Sequence, residues 1–326
     1  MPHINIEQIK KTASFLKQLP DNGCGLDFYS IGSGEKKIRL SDMYPSLHHK
    51  ETINFFFFAC LHQHGFWYAD EQGYVKPLTG MINGKVEKGS DLLWKVLMKT
   101  LNRDSSAFFS DKLAEIEPEE LFTKVLADDN GPIPFPDTEE RFKLTRAYGR
   151  WLVKNGKITN DLVTEANKQK TPLLCFTKTL RRVPGFDKDP AEKKSTLLAM
   201  ILANRPEKFL EVKDPYNWSP IIDYHVMRVA LRLGLIELDK NELRANINRR
   251  WVNAEKESEI RFDTHNAVTD LIQYSGRSMA FIDEKMWLAR KYCPEMEKPN
   301  CEKCLFSSIC KKRTELFQPV YRTTAY

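Results

Sequence analysis

From Ser90 onward apolar residues recur every three to four positions, the spacing of helices packed on one side, and strand-like signals are confined to the stretch before it. Residues up to about Lys17 predict a short amphipathic helix, ended by a turn at Asp21-Asn22-Gly23-Cys24-Gly25. The aromatic run Ile53-Asn54-Phe55-Phe56-Phe57-Phe58-Ala59-Cys60-Leu61 predicts a buried strand, because aromatic residues favour strands and the run is short. Phe66-Trp67-Tyr68 and Gly73-Tyr74-Val75 predict a hairpin across Ala69-Asp70-Glu71-Gln72. Further on, helices are expected over residues 90–101, 118–127, 138–154, 160–168, 172–181 and 190–202. The proline-rich stretch 129–136 reads as irregular, and Val183-Pro184-Gly185-Phe186 breaks the chain.

Residues 219–234 carry signals at both ends: Ser219 as a cap, Pro220 at the first helical position and Gly234 as the left-handed stop. Ile222, Val226, Val229 and Leu233 would form the buried stripe, which places Asp223 in the first turn. The helix dipole favours a charged carboxylate there. Such a group is suited to face the oxocarbenium-like sugar that forms when a base leaves a nucleoside.

Composition narrows the class. The 326 residues are 41% hydrophobic and 29% charged, an ordinary globular mixture long enough for one large domain or two ordinary ones. The polar first residues lack the apolar core of a signal peptide, and the longest apolar run, 55–61, is too short to span a bilayer. These features predict a cytosolic or nuclear protein with no membrane partner. A net charge of +6 favours a phosphate-bearing partner.

Cys293, Cys301, Cys304 and Cys310 crowd one short stretch, whereas Cys24, Cys60 and Cys175 are scattered. Four thiols in one loop, with no export signal, fit a metal better than disulfides. A compact wrap with one Cys-x-x-Cys suits a [4Fe-4S] cube, and zinc is the alternative. In either case the metal is expected to pin the loop, and with it Lys311, Lys312 and Arg313, and to take no part in substrate chemistry.

Asp223-Tyr224-His225-Val226-Met227-Arg228-Val229-Ala230-Leu231-Arg232-Leu233-Gly234-Leu235 resembles the segment that carries the catalytic Asp of the helix-hairpin-helix DNA glycosylase superfamily. Val183-Pro184-Gly185-Phe186 resembles that superfamily's phosphate-binding turn, but Asp187 stands where its second glycine would be. The family's lyase lysine would fall at Asp189, so no Schiff-base chemistry is expected. The cysteine loop is similar to that of the iron-sulfur DNA glycosylases, with one spacer a residue longer.

From about residue 40 onward the chain also resembles the queuosine salvage family, helical N-glycosylases that free queuine from queuosine 5'-phosphate. The shared order runs through Gly131-Pro132-Ile133-Pro134, Glu139-Glu140-Arg141, Glu165-Ala166-Asn167-Lys168, Lys193-Lys194, Ile222-Asp223-Tyr224, Phe281-Ile282-Asp283 with Trp287, and the tail from Tyr321 to Tyr326. The resemblance implies that Asp223 is the catalytic carboxylate, followed by Tyr224 and His225, and that Asp283 contacts the base. Several pocket positions differ from the family's: Tyr44 before Pro45 replaces a His, Ile221 an aromatic, and Glu284 and Leu288 a Tyr and an Asp. Trp67 or Trp287 would pack on the base, and Lys193, Lys194 or Arg322 would meet phosphate. His62, His64 and His225 are candidate acids.

The expected architecture is therefore mainly α, a helix-hairpin-helix glycosylase-like fold with a small β element near the N-terminus and a C-terminal iron-sulfur loop. Its divisions would be a helical domain at 1–180, a catalytic region at 181–290 and the metal loop and tail at 291–326. The expected substrate is a modified purine nucleotide or nucleoside of the queuosine or 7-deazaguanine type. A DNA glycosylase acting on a damaged or modified base and a non-catalytic nucleic-acid-binding protein are the alternatives.

Overall fold

The computed structural model describes residues 2–20, 27–32 and 37–326, so the expected turn at 21–25, with Cys24, lies outside the described residues. Among them the chain is mainly helical, with thirteen α-helices and five two-stranded sheets. Among the described residues no helix is long and apolar enough to cross a membrane. The described contacts form two compact units.

One unit comprises Met1–Cys24, Ala69–Lys76 and Ser219–Arg322. Its centre is the long helix Ala254–Ser275, against which Ile6–Gln18, Tyr224–Leu233 and Met279–Leu288 pack. His3–Ile4 pairs antiparallel with Ile236–Glu237, so the N-terminal strand closes onto the chain just after the Tyr224–Leu233 helix.

The other unit, Gly25–Tyr68, Pro77–Trp218 and Thr323–Tyr326, is built around the aromatic run. That run is the helix Thr52–Leu61, not the expected strand. Every residue of it except Asn54 is buried, because Gly89–Arg103, Thr159–Asn167 and Lys193–Asn204 pack around it. A segment apolar on all sides carries no periodicity, and surrounding helices fill each face.

The helices expected at 90–101, 138–154, 160–168 and 172–181 are seen as Gly89–Arg103, Thr138–Lys154, Thr159–Asn167 and Pro172–Leu180. The helix expected at 190–202 begins later, at Lys193–Asn204. The one expected at 118–127 is a single turn, Pro118–Glu120, continued as a π-helix over Leu121–Val125. The stretch 129–136 is irregular as expected except at Gly131–Pro132, which pairs with Ala127–Asp128 just before it. The expected hairpin pairs Trp67–Asp70 with Gly73–Pro77.

Candidate functional site

The helix bearing the candidate carboxylate starts one turn later than its sequence signals. It spans Tyr224–Leu233, and Asp223 is its N-cap, accepting the Val226 amide at 2.9 Å on Oδ1. Ser219 and Pro220 belong to the irregular lead-in, where Ser219 Oγ lies 2.8 Å from His265 Nε2. An aspartate is as good a cap as a serine, and with the cap at position 223 Ile221 and Ile222 lie buried in the lead-in. Arg261, on the long helix, donates to the Ile222 carbonyl at 3.3 Å and holds the lead-in. Asp223 itself is half-buried. At the other end Gly234 adopts φ 86 as expected.

The helix is not amphipathic in place. His225 through Leu233 are all buried, and the polar stripe of His225, Arg228 and Arg232 is covered by the cysteine loop. Arg228 donates to the Cys293 carbonyl at 3.2 Å and to Gln318 Oε1 at 2.9 Å. Arg232 donates to the Leu316 and Pro294 carbonyls at 2.7 and 2.9 Å and reaches Cys293 Sγ at 3.2 Å. Glu295 Oε1 lies 2.9 Å from His225 Nδ1 and 3.4 Å from Arg228. Burial alone would push the Glu295 carboxyl up, but the His225 hydrogen bond and the Arg228 charge hold it far below its usual range. Burial lowers His225, and the Glu295 hydrogen bond offsets part of that shift.

Cys293, Cys301, Cys304 and Cys310 line a single cavity with Arg232 and Tyr292. None of the four is in a disulfide. Among the described residues no group of three or more His, Cys, Asp or Glu side chains is placed to hold a metal ion. The Lys312 amide donates to Cys310 Sγ at 3.2 Å, and with Arg232 on Cys293 two sulfurs receive donors suited to thiolate charge. As a free thiol Cys310 is pushed up to about 11, by burial first, with the neighbouring sulfurs adding to the shift. A bound cation reverses that preference. Four thiols at one cavity are the side-chain type that a thiolate-ligated metal would take.

Asp283 and Trp287 lie half-buried on Met279–Leu288, which Ser278 caps, and Glu284 is buried beside Lys285 at 2.9 Å. This helix packs on Tyr224–Leu233. One face of Trp287 is covered by the Arg290 guanidinium, 3.8 Å from the ring centroid. Arg322 is exposed and sits 6.0 Å from the Trp251 ring.

Tyr44, Trp67, Lys193 and Lys194 belong to the other unit. Tyr44 is buried, edge-on to Phe28 and Trp94 at 5.7 and 5.5 Å, and Trp67 is buried too. Lys193 Nζ donates to the Gln63 carbonyl at 3.1 Å, and Lys194 Nζ donates to Leu61 O at 2.6 Å. Leu61 closes the Phe-rich helix, so Lys194 complements the negative end of its dipole. Burial, then the Lys193 and Arg141 charges, push Lys194 well below the usual lysine range. In the Pro184-Gly185-Phe186 turn the Gly185 amide donates to Asp187 Oδ1 at 3.0 Å, so the chain's own carboxylate occupies an amide that the resemblance assigns to phosphate.

Compared with protein-family models and with curated proteins, the chain finds no match in either. Sequence reasoning missed Arg228, Arg232 and Glu295. The first two were legible as a charged i, i+4 pair in line with His225 on a helix with an apolar opposite face. Glu295, two residues beyond Cys293, had no local signal.

Proposed function

We propose that this chain is an N-glycoside hydrolase that cleaves the bond between a modified purine, of the queuosine or 7-deazaguanine type, and the sugar of its nucleotide. The supporting observation is Asp223: a half-buried carboxylate fixed as the cap of a helix that is clamped along its length. A carboxylate at that place would stabilise positive charge developing on the sugar as the base departs. Asp283, from the neighbouring helix, would hydrogen-bond the base, and Trp287 would pack on it. In this reading the architecture is of the helix-hairpin-helix glycosylase type.

Cys293, Cys301, Cys304 and Cys310 would hold a [4Fe-4S] cluster, with zinc as the alternative. Such a group supplies binding free energy to the fold of the loop and no substrate chemistry.

Excision of a base from DNA is the second reading, favoured by the same thiol cavity. Against it stands the Gly185 amide, which is engaged by Asp187. Base release from queuosine monophosphate, other 7-deazaguanine nucleotides and modified duplex DNA separates the two. Asp223→Asn keeps a good cap and removes the charge, so stability should change by only a few tenths of a kcal/mol. Release should fall by about 100- to 1000-fold, the magnitude for losing one aligned charge-stabilising group. Unchanged release in that variant would remove Asp223 from the chemistry, and no release from any substrate would leave a non-catalytic binding protein.

A further inference from the structure

We propose that Glu295 is a positioning residue: carried on the thiol loop, it fixes His225 and thereby the opening turn of the Asp223 helix, so that the integrity of the thiol site is felt at the carboxylate. Only the activity arm of this inference rests on the glycosidase reading.

Cys293-Pro294-Glu295 is fastened to the helix at three points. Arg228 Nε donates to the Cys293 carbonyl at 3.2 Å, Arg232 NH1 donates to the Pro294 carbonyl at 2.9 Å, and the same nitrogen reaches Cys293 Sγ at 3.2 Å. This fastening sets Glu295 Oε1 2.9 Å from His225 Nδ1. Arg228 NH2 is also 3.0 Å from that nitrogen and 3.4 Å from Oε1. One ring nitrogen cannot both donate to the carboxylate and accept from the guanidinium. A bare Nδ1 would turn its lone pair on the Glu295 oxygen, so the consistent arrangement protonates Nδ1, and Arg228 pairs with the carboxylate directly. Glu295 thus selects the tautomer and leaves Nε2 as the ring's acceptor.

The His225 ring in turn lies 4.1 Å, centroid to centroid, from Tyr224, the residue that follows Asp223. His225, Arg228 and Arg232 share one face at i, i+3 and i+7, so a single stretch of loop braces the helix from its first turn to its last. A loop with no metal to hold it would lose the register that brings Glu295 to His225.

Nitrogen-15 spectra of histidine-labelled full-length protein report which ring nitrogen carries the proton. His225 should be Nδ1-protonated in the unmutated chain and in Glu295→Gln, which keeps an acceptor at that point. Glu295→Ala should shift the ring towards the Nε2–H form, and extracting the metal from the unmutated protein with a chelator should do the same. Base release by Glu295→Ala should fall in kcat by roughly 10- to 100-fold with KM within about twofold, as expected when a group near the chemistry is misplaced and binding is not lost. An unchanged His225 signal in Glu295→Ala or after chelation overturns the proposal, as does a shifted signal with wild-type kcat. Should the unmutated protein release no base, the glycosidase reading fails, and the spectra alone decide whether the strut exists.

Discussion

His62 and His64 are wholly enclosed, and the Arg141 guanidinium runs between their surroundings and Asp137. It donates from Nε to Asp137 Oδ1 at 2.8 Å and from its terminal nitrogens to the carbonyls of both histidines. Burial pushes both imidazoles well below their usual range, and the Arg141 and Lys194 charges push the same way. In the unfolded chain they titrate near about 6.5. Since the folded values are depressed, the unfolded state takes up protons first as pH falls. The stabilisation is therefore complete above about 6.5 and is lost below it, at about 1.4 kcal/mol per pH unit for each histidine. His225 adds to the same trend. Asp137, raised by burial, acts in the opposite sense between its raised value and about 4. Urea midpoints should fall between pH 7.5 and 5.5, and His62→Gln with His64→Gln should flatten the profile; a flat profile in the unmutated chain would show the pair is not held neutral. The sequence offered these histidines as acids, but an enclosure that sets His62 Nε2 3.1 Å from Thr145 Oγ1 and His64 Nδ1 3.1 Å from Asp137 Oδ2 is invisible in a string of residues. The sequence places Asp223 in the first turn under a Ser219 cap, because a local cue does not say which of two good caps the packing will select.

At the scale of elements, helices with one apolar face were legible to within a few residues, as Thr138–Lys154 shows. Failures came where the local pattern is mute or ambiguous. The Phe-rich helix has no polar face to set its period, and the start at Asp223 competed with an equally good signal at Ser219-Pro220. A second hairpin, Thr79–Ile82 with Lys85–Lys88, was missed although Asn83-Gly84 marks it. Both of its turn residues take positive φ, 52 and 71, as a two-residue loop of this kind requires. That turn and the one at Gly185 give a paired test. A Cβ at Gly84 meets nothing within 4 Å, so Gly84→Ala should cost only the left-handed strain, about 1 kcal/mol. At Gly185, φ 88, a Cβ would come within 2.1 Å of Leu61 Cδ1, and Leu61 is fully buried at the end of the Phe-rich helix. Overpacking adds about 1–3 kcal/mol there. Equal losses in denaturant midpoint for the two variants would mean that the Gly185 turn does not press on that helix.

Over the whole molecule, pairings between distant residues such as His3–Ile4 with Ile236–Glu237, or Ile6–Gln18 against Ala254–Ser275, leave no trace in local sequence, whereas the thiol loop is compact enough to read directly. Its consequence reaches beyond the loop, because Arg228 and Arg232 are buried under it and take their partners from Cys293, Pro294, Leu316 and Gln318. A buried guanidinium stripped of its partners costs about 3–5 kcal/mol, so a metal held by the proposed thiol site and the burial of these arginines would stabilise one another. Protein purified without oxygen should show a broad absorption near about 400 nm and four irons per chain if the cavity holds a cube. Cys304→Ser should abolish that absorption and speed hydrogen exchange in both the loop and Tyr224–Leu233, since the two share their hydrogen bonds. A colourless protein with one zinc per chain would replace the cluster but leave the exchange result standing. Exchange that quickens in the loop alone would show that the arginines hold the helix without any help from the metal.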